Sequence, residues 1–181
     1  HELSHIKHMD VVAITLLSVI PMICYYAFYT LFWGSMGSRE NRGGAMAVAA
    51  IAFVVYFVTN LLVLYASRIR EYYADSGSAE LTGKKTPLAS ALYKIVYGSA
   101  KYSKEQLKSI QGVRAFFAAD PTTARNDLSD LRNFDMDKSG SIDEYELELI
   151  AREAKVGKID RFFEIFSTHP NLIKRMKALA S

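Results

Sequence analysis

Two histidines four residues apart, with a glutamate directly after the first, open the chain as His1-Glu2-Leu3-Ser4-His5. On a helix, residues four apart stand one above the other on one face, about 6 Å apart, so both imidazoles can reach one metal ion. Glu2 then falls beside the metal rather than on it. Zinc takes a neutral nitrogen from each histidine and keeps an open position for water, and a neighbouring carboxylate can take that water's proton as it attacks an amide carbonyl. With only three of five positions fixed, the signal is modest, and it also describes an ordinary polar helix face. A third ligand has to come from elsewhere in the chain.

A second stretch with ion chemistry is "DMDKSGSIDEYE" at 135–146. Calcium takes six to eight hard oxygens, and a twelve-residue loop supplies them from positions 1, 3, 5, 7, 9 and 12, with glycine at 6 where the backbone turns sharply. Those positions hold Asp135, Asp137, Ser139, the carbonyl of Ser141, Asp143 and Glu146, with Gly140 at the turn. Ile142 occupies position 8, where an apolar residue packs inward, and the flanks "TARNDLSDLRNF" and "EYELELIAREAK" read as entering and leaving helices. The loop resembles an EF-hand at every ligand position. The plain alternative is a solvated acidic loop that keeps the shape without useful affinity: EF-hands usually work in pairs, no second loop is visible, and Ser139 offers a neutral oxygen where many loops carry a carboxylate.

The elements that must position these residues are set by two uncharged stretches. Of 181 residues, 50% are hydrophobic and 23% charged, but the charges avoid 11–33 and 45–67 altogether. Each stretch exceeds the roughly 20 residues that cross a bilayer core as a helix. Only scattered Ser, Thr and Asn interrupt them, where a soluble core helix of that length would carry a polar face. Neither has the length, place or flanks of a cleaved signal peptide. Pro21 is tolerable in a membrane helix, and Tyr25, Tyr26, Tyr29, Trp33 and Tyr65 gather toward the ends of the spans as interfacial aromatics do. The single Cys24 lies within a span, so no internal disulfide forms. A net charge of +3, mixed in sign and without a basic stripe, gives no support for nucleic-acid binding.

The polar segment 34–44 joins the spans into a hairpin, which puts both outer ends on one side of the bilayer. Lys7, Arg68, Arg70, Lys84 and Lys85 on that side, against Arg39 and Arg42 in the tip, favour the cytoplasm for the ends. The charged remainder reads as helical: a continuation of the second span to about 80, helices at 87–99 and 104–111, a break at 118–127 around Pro121, and the helices flanking 135–146. The expected fold class is therefore mainly α, an integral membrane hairpin with a cytoplasmic helical, zincin-like lobe. Four regions are expected: the transmembrane hairpin with the metal ligands (1–80), a helical segment of the lobe (81–121), the helix-loop-helix (122–155) and a C-terminal helical segment (156–181).

The hairpin also nominates the third ligand. His5 lies six residues before the first span and Glu71 four residues after the second, so if both helices run on past the membrane at 1.5 Å per residue they stand roughly 9 and 6 Å above the apolar boundary. An antiparallel hairpin brings them together. Asp75, one turn beyond Glu71, is placed to accept a hydrogen bond from a ligand imidazole. His8 reads as a bystander near the membrane surface.

At this point "HELSHIKHMD" before a transmembrane hairpin, then "SRIREYYADSGSAELTG", "LASALYKI" and "FSTHPNLIKRMKAL", resembles the HtpX-type membrane zinc metallopeptidases, relatives of the CAAX-prenyl-protein endopeptidases. The resemblance covers nearly the whole chain in the right order, apart from one insertion. It implies zinc on His1, His5 and Glu71, Glu2 as general base, Asp75 behind a ligand histidine, and a cytoplasm-facing site in the cell (inner) membrane that cleaves damaged or misfolded membrane proteins. It also implies that His169, in the His169-Pro170 pair, returns to the active site to stabilise the oxyanion; the alternative is a helix-start residue before proline. Family members carry a substantial region before the H-E-x-x-H, so the resemblance implies an N-terminally truncated chain and assigns the activity to the parent protein. Two rival readings stay open: a non-catalytic calcium-binding membrane protein with a structural metal site, and a prenyl-protein processing endopeptidase.

Overall fold

The computed structural model describes residues 1–37, 42–100, 128–129 and 131–181. The expected helix at 104–111 and the break at 118–127 lie outside them, as do residues 38–41 of the hairpin tip. Among the described residues there is no strand, and the ordered elements are α1 (Glu2–Lys7), α2 (Asp10–Gly37), α3 (Arg42–Thr82), α4 (Thr86–Ala100), α5 (Glu144–Glu153), α6 (Lys158–Glu164) and α7 (Leu172–Ala180).

The uncharged stretches form the bodies of α2 and α3, which pack against each other along their length. Small and aromatic residues make the seam: Ala49 and Ser35 are buried, and the rings of Phe28 and Phe53, and of Tyr25 and Tyr56, meet at 5.3 and 5.6 Å. The rest of both surfaces is apolar and turned outward, with Val11, Leu16, Ile51 and Val54 all more than half exposed. In water such a surface would be strongly unfavourable, at about 25 cal/mol per Å²; in hydrocarbon it is at home. These are helices long and apolar enough to cross a membrane, with almost none of that surface buried inside the protein.

α3 has 41 residues, about 60 Å at the helical rise, roughly twice a bilayer's hydrocarbon thickness. Its last turns, from Arg68 to Thr82, therefore stand clear of the apolar span and serve as the post on which the lobe is built. The lobe's core is a single apolar cluster: Ala89, Leu92, Tyr93 and Val96 from α4, Leu131 and Ile142 around the acidic loop, Leu147 and Ile150 from α5, and Leu172, Ile173, Met176 and Leu179 from α7. α7 packs on α5 with its apolar face and touches α3 and α4 as well.

One expectation is corrected. The H-E-x-x-H helix does not run on into the first span. α1 ends at Lys7, Met9 takes a left-handed conformation (φ 51°), and α2 starts afresh at Asp10. A β-unbranched side chain tolerates that strain at modest cost. Its effect is to turn α1 and to bring Asp10 round to His5. His8, read as a bystander to the metal chemistry, donates from Nδ1 to the Ser4 carbonyl at 2.8 Å at the C-terminal end of α1.

Candidate metal centre

The buried face of the α3 post carries Glu71, Ala74, Asp75 and Ser78, the i, i+3, i+4, i+7 spacing of one helix face. α1 lies directly against this face. Ser4 is fully buried there, and the contact is possible because position 77 is glycine: a Cβ on Gly77 would stand 2.3 Å from Ser4 Oγ and 3.2 Å from Ser4 Cβ. With α1 seated this closely, its histidines, one turn apart, face Glu71.

The ligand atoms converge. His1 Nε2 and His5 Nε2 are 3.1 Å apart, His1 Nε2 is 3.6 Å from Glu71 Oε2, and His5 Nε2 is 3.7 Å from Glu71 Oε1. Ligands about 2.0–2.1 Å from a tetrahedral zinc stand roughly 3.3 Å from one another, so the three observed separations straddle the required edge. Each imidazole is also held from behind. Asp10 Oδ2 takes His5 Nδ1 at 2.5 Å, and Asp75 Oδ1 lies 2.9 Å from His1 Nδ1. A carboxylate that accepts the Nδ1 proton leaves the Nε2 lone pair free, which is the tautomer a metal ligand needs. Two nitrogens and a carboxylate oxygen, oriented in this way, are a donor set that fits zinc.

Charge around the cluster is balanced by two arginines. Arg175 of α7, 3% exposed, forms a two-pronged pair with Asp75 at 2.8 and 2.7 Å and reaches Glu71 Oε2 at 3.2 Å through Nη1. Arg70 Nε lies 3.0 Å from Asp10 Oδ2. Burial would push the Glu71 carboxyl up, but the His1 and His169 imidazoles 3.6 Å away and the Arg175 charge hold it well below the usual carboxylate range, so it stays ionised. Burial likewise disfavours a charged His1, yet the Asp75 and Glu71 carboxylates beside it outweigh that and hold the imidazole up at about 9. The same field that makes His1 basic favours a cation between these groups.

His169 does return to this cluster, with its Nδ1 3.6 Å from Glu71 Oε1 and no well-formed hydrogen bond of its own. The preceding loop is fixed by Arg68, whose Nη1 donates to the carbonyls of Ile165 and Ser167 at 3.1 and 2.8 Å. Ser167 Oγ donates to the His169 carbonyl at 2.9 Å, and Glu164 accepts from the Asn171 backbone and pairs with Lys174. Glu2 is exposed. The structure therefore brings together His1, His5, Glu71, Asp75 and His169, all singled out by their sequence context. Asp10, Arg70, Arg175, Arg68 and Gly77 escape that reading. Arg175 leaves a detectable trace, since it interrupts the apolar stripe Leu172, Met176, Leu179 on a helix whose other face is polar.

The second candidate cluster forms as well, apart from the first: one carboxylate oxygen from each of Asp135, Asp137 and Glu146 lies within 4.8 Å of the others. Ser139 Oγ and the Ser141 carbonyl are 3.4 Å apart, and Asp143 caps α5.

Comparison with known proteins gives the family. The profile of peptidase family M48 matches residues 1–181. Among curated proteins, the chain is 49% identical over 96 residues to a protease HtpX homolog of Methanothermobacter thermautotrophicus, covering 53% of this chain and 35% of that one. It is 34% identical to protease HtpX homolog 2 of Methanosarcina acetivorans and 31% identical to a protease HtpX homolog of Aeropyrum pernix, in each case over 99% of this chain and 50% and 54% of the relative. The chain thus spans about half the length, or less, of these relatives. No solved structure matches it. A family profile matched from end to end, on a membrane hairpin that carries a His-His-Glu cluster, establishes that the chain belongs to peptidase family M48, as an HtpX-type member.

Proposed function

We propose that the protein is a membrane-embedded zinc endopeptidase that cleaves damaged or misfolded membrane proteins at a site facing the cytoplasm. The observation that carries this reading is the convergence of His1 Nε2, His5 Nε2 and the Glu71 carboxylate at 3.1–3.7 Å, with each imidazole backed by a carboxylate. Zinc held there supplies Lewis acidity, making water nucleophilic near neutral pH and polarising the scissile carbonyl. Glu2 accepts the proton of the attacking water and returns it to the departing amine, so the C–N bond breaks without a charged leaving group. His169 donates to the oxygen on which negative charge collects as the carbonyl carbon becomes tetrahedral. Asp75 and Asp10 keep the ligand imidazoles in one tautomer, and Arg175 offsets the carboxylate charge that would otherwise be buried unpaired.

The surroundings suit such a substrate. The site stands one or two helical turns beyond the apolar span, where a segment leaving the bilayer passes. The excess of Lys and Arg on this side supports the cytoplasmic orientation. Glu2→Gln in the full-length protein tests the reading: cleavage of a membrane-protein substrate should be lost while about one zinc per chain is kept. Cleavage that persists would rule out Glu2 as the base. Absence of zinc from wild-type protein prepared without chelator would overturn the metallopeptidase assignment, and loss of zinc with Glu71→Ala would support the third ligand.

A further inference from the structure

The geometry points to a second metal site, a calcium ion held by the oxygen-only loop Asp135–Glu146, separate from the histidine centre. Three observations carry it. Asp135 is 7% exposed and anchored through Oδ2, which accepts from Tyr93 Oη and Gly140 N, both at 3.1 Å. Its other oxygen, Oδ1, is buried and has no hydrogen-bond partner among the described residues. A buried carboxylate oxygen left in that condition is disfavoured, and a cation would satisfy it.

The second observation is convergence against repulsion. Asp137 and Glu146 each direct an oxygen to within 4.8 Å of Asp135. Hydrogen bonds from the Ser139 backbone and side chain keep the Asp137 carboxyl below its usual range, so like charges are packed together. A capping box accounts for part of this: Glu146 N donates to Asp143 Oδ1 at 2.8 Å, and Glu146 Oε2 accepts from Asp143 N at 3.0 Å. Capping explains the placement of Asp143 and Glu146. It gives no reason for a buried, half-satisfied Asp135 or for Asp137 beside it.

The third is the fold of the loop itself. Lys138 and Gly140 both take positive φ, 56° and 74°, the tight wrapping such a loop needs, and Ser139 Oγ stands 3.4 Å from the Ser141 carbonyl. Every donor is a hard oxygen, and carboxylates supply the charge. That combination suits calcium and not the nitrogen-seeking metal of the other centre. The site is also built into the lobe: Ile142 follows the ligands into the core shared by Tyr93 and by Ile173 and Met176 of α7.

Calcium binding to the zinc-loaded full-length protein in detergent should be measured by titration calorimetry with excess magnesium present. One ion per chain with a Kd of about 10⁻⁵ to 10⁻³ M is expected. Asp137→Asn, at an exposed position, should weaken it about tenfold or more, and Asp135→Asn should abolish it, with zinc content reporting that each variant has folded. Absence of saturable calcium heat up to about 10 mM, beyond the weakest loops of this kind, would overturn the site. So would binding that Asp135→Asn and Asp137→Asn leave unchanged. Zinc is read independently, so loss of one site's metal does not count against the other.

Discussion

Gly77 offers the sharpest test of how the metal centre is assembled, because the residue touches none of the ligands. Replacing it with alanine pits two effects against each other. In the interior of a helix, alanine is favoured over glycine by about 0.5–1 kcal/mol. Against this, the new Cβ would lie 2.3 Å from Ser4 Oγ, about 1 Å short of ordinary contact, and 3.2 Å from Ser4 Cβ, in a place where Ser4 is 1% exposed. Overpacking of this kind costs about 1–3 kcal/mol, so the clash wins. The relief available is a shift of α1 away from α3, which carries His1 and His5 away from Glu71. A metal site tolerates roughly 0.2 Å in ligand distance, so a shift of even half the overlap should lower zinc affinity about 10- to 100-fold, as lost support around ligands does. Chelator competition on the purified protein would measure this. Ser4→Ala combined with Gly77→Ala removes the nearest clashing atom and should recover most of the affinity. If Gly77→Ala alone bound zinc as tightly as wild type, the argument that glycine sets the α1–α3 distance would be wrong.

Other expectations follow from the same geometry. Asp10→Ala frees His5 Nδ1 and strands Arg70, and should weaken zinc about 10- to 100-fold in the same chelator assay; unchanged affinity would exclude Asp10 as an orienting group. Arg175→Met leaves Asp75 and Glu71 without their buried cation and should destabilise the lobe by about 3–5 kcal/mol, read by denaturant unfolding, whereas a neutral result would show that the pair adds nothing net. Zinc-stripped and zinc-loaded protein should differ in pH response. Without metal, the raised pKa of His1 contributes stability that is complete below its ordinary value of 6.5 and lost as pH climbs to about 9. Zinc ligation needs the neutral imidazole, so loaded protein should show no such loss over that range, and parallel melting curves for the two forms would refute the assignment of His1.

The chain's local order determined a great deal by itself. Absence of charge over 11–33 and 45–67 fixes two membrane helices, since no polar face exists to be solvated. The short connection makes them antiparallel, and the period of the helix then puts Glu71 and Asp75 on one face at the height of His5. Spacing alone also located the acidic loop, because an oxygen cage built from one twelve-residue segment is written contiguously. What the sequence could not decide was everything that depends on how separate elements approach. The turn at Met9 breaks the helix that periodicity would continue, since a left-handed residue is a response to packing rather than to neighbours in sequence. Asp10 reaches His5 only because of that turn. Arg175, 100 residues from Asp75 along the chain, reads locally as one more cation on an amphipathic helix. Its burial against two carboxylates follows from where α5 and α4 seat α7. Gly77 looks like a blemish in a long helix until Ser4 is set against it. Ligand types are a matter of residue chemistry and are legible one by one; their mutual distances are a matter of packing, and only the folded chain supplies them.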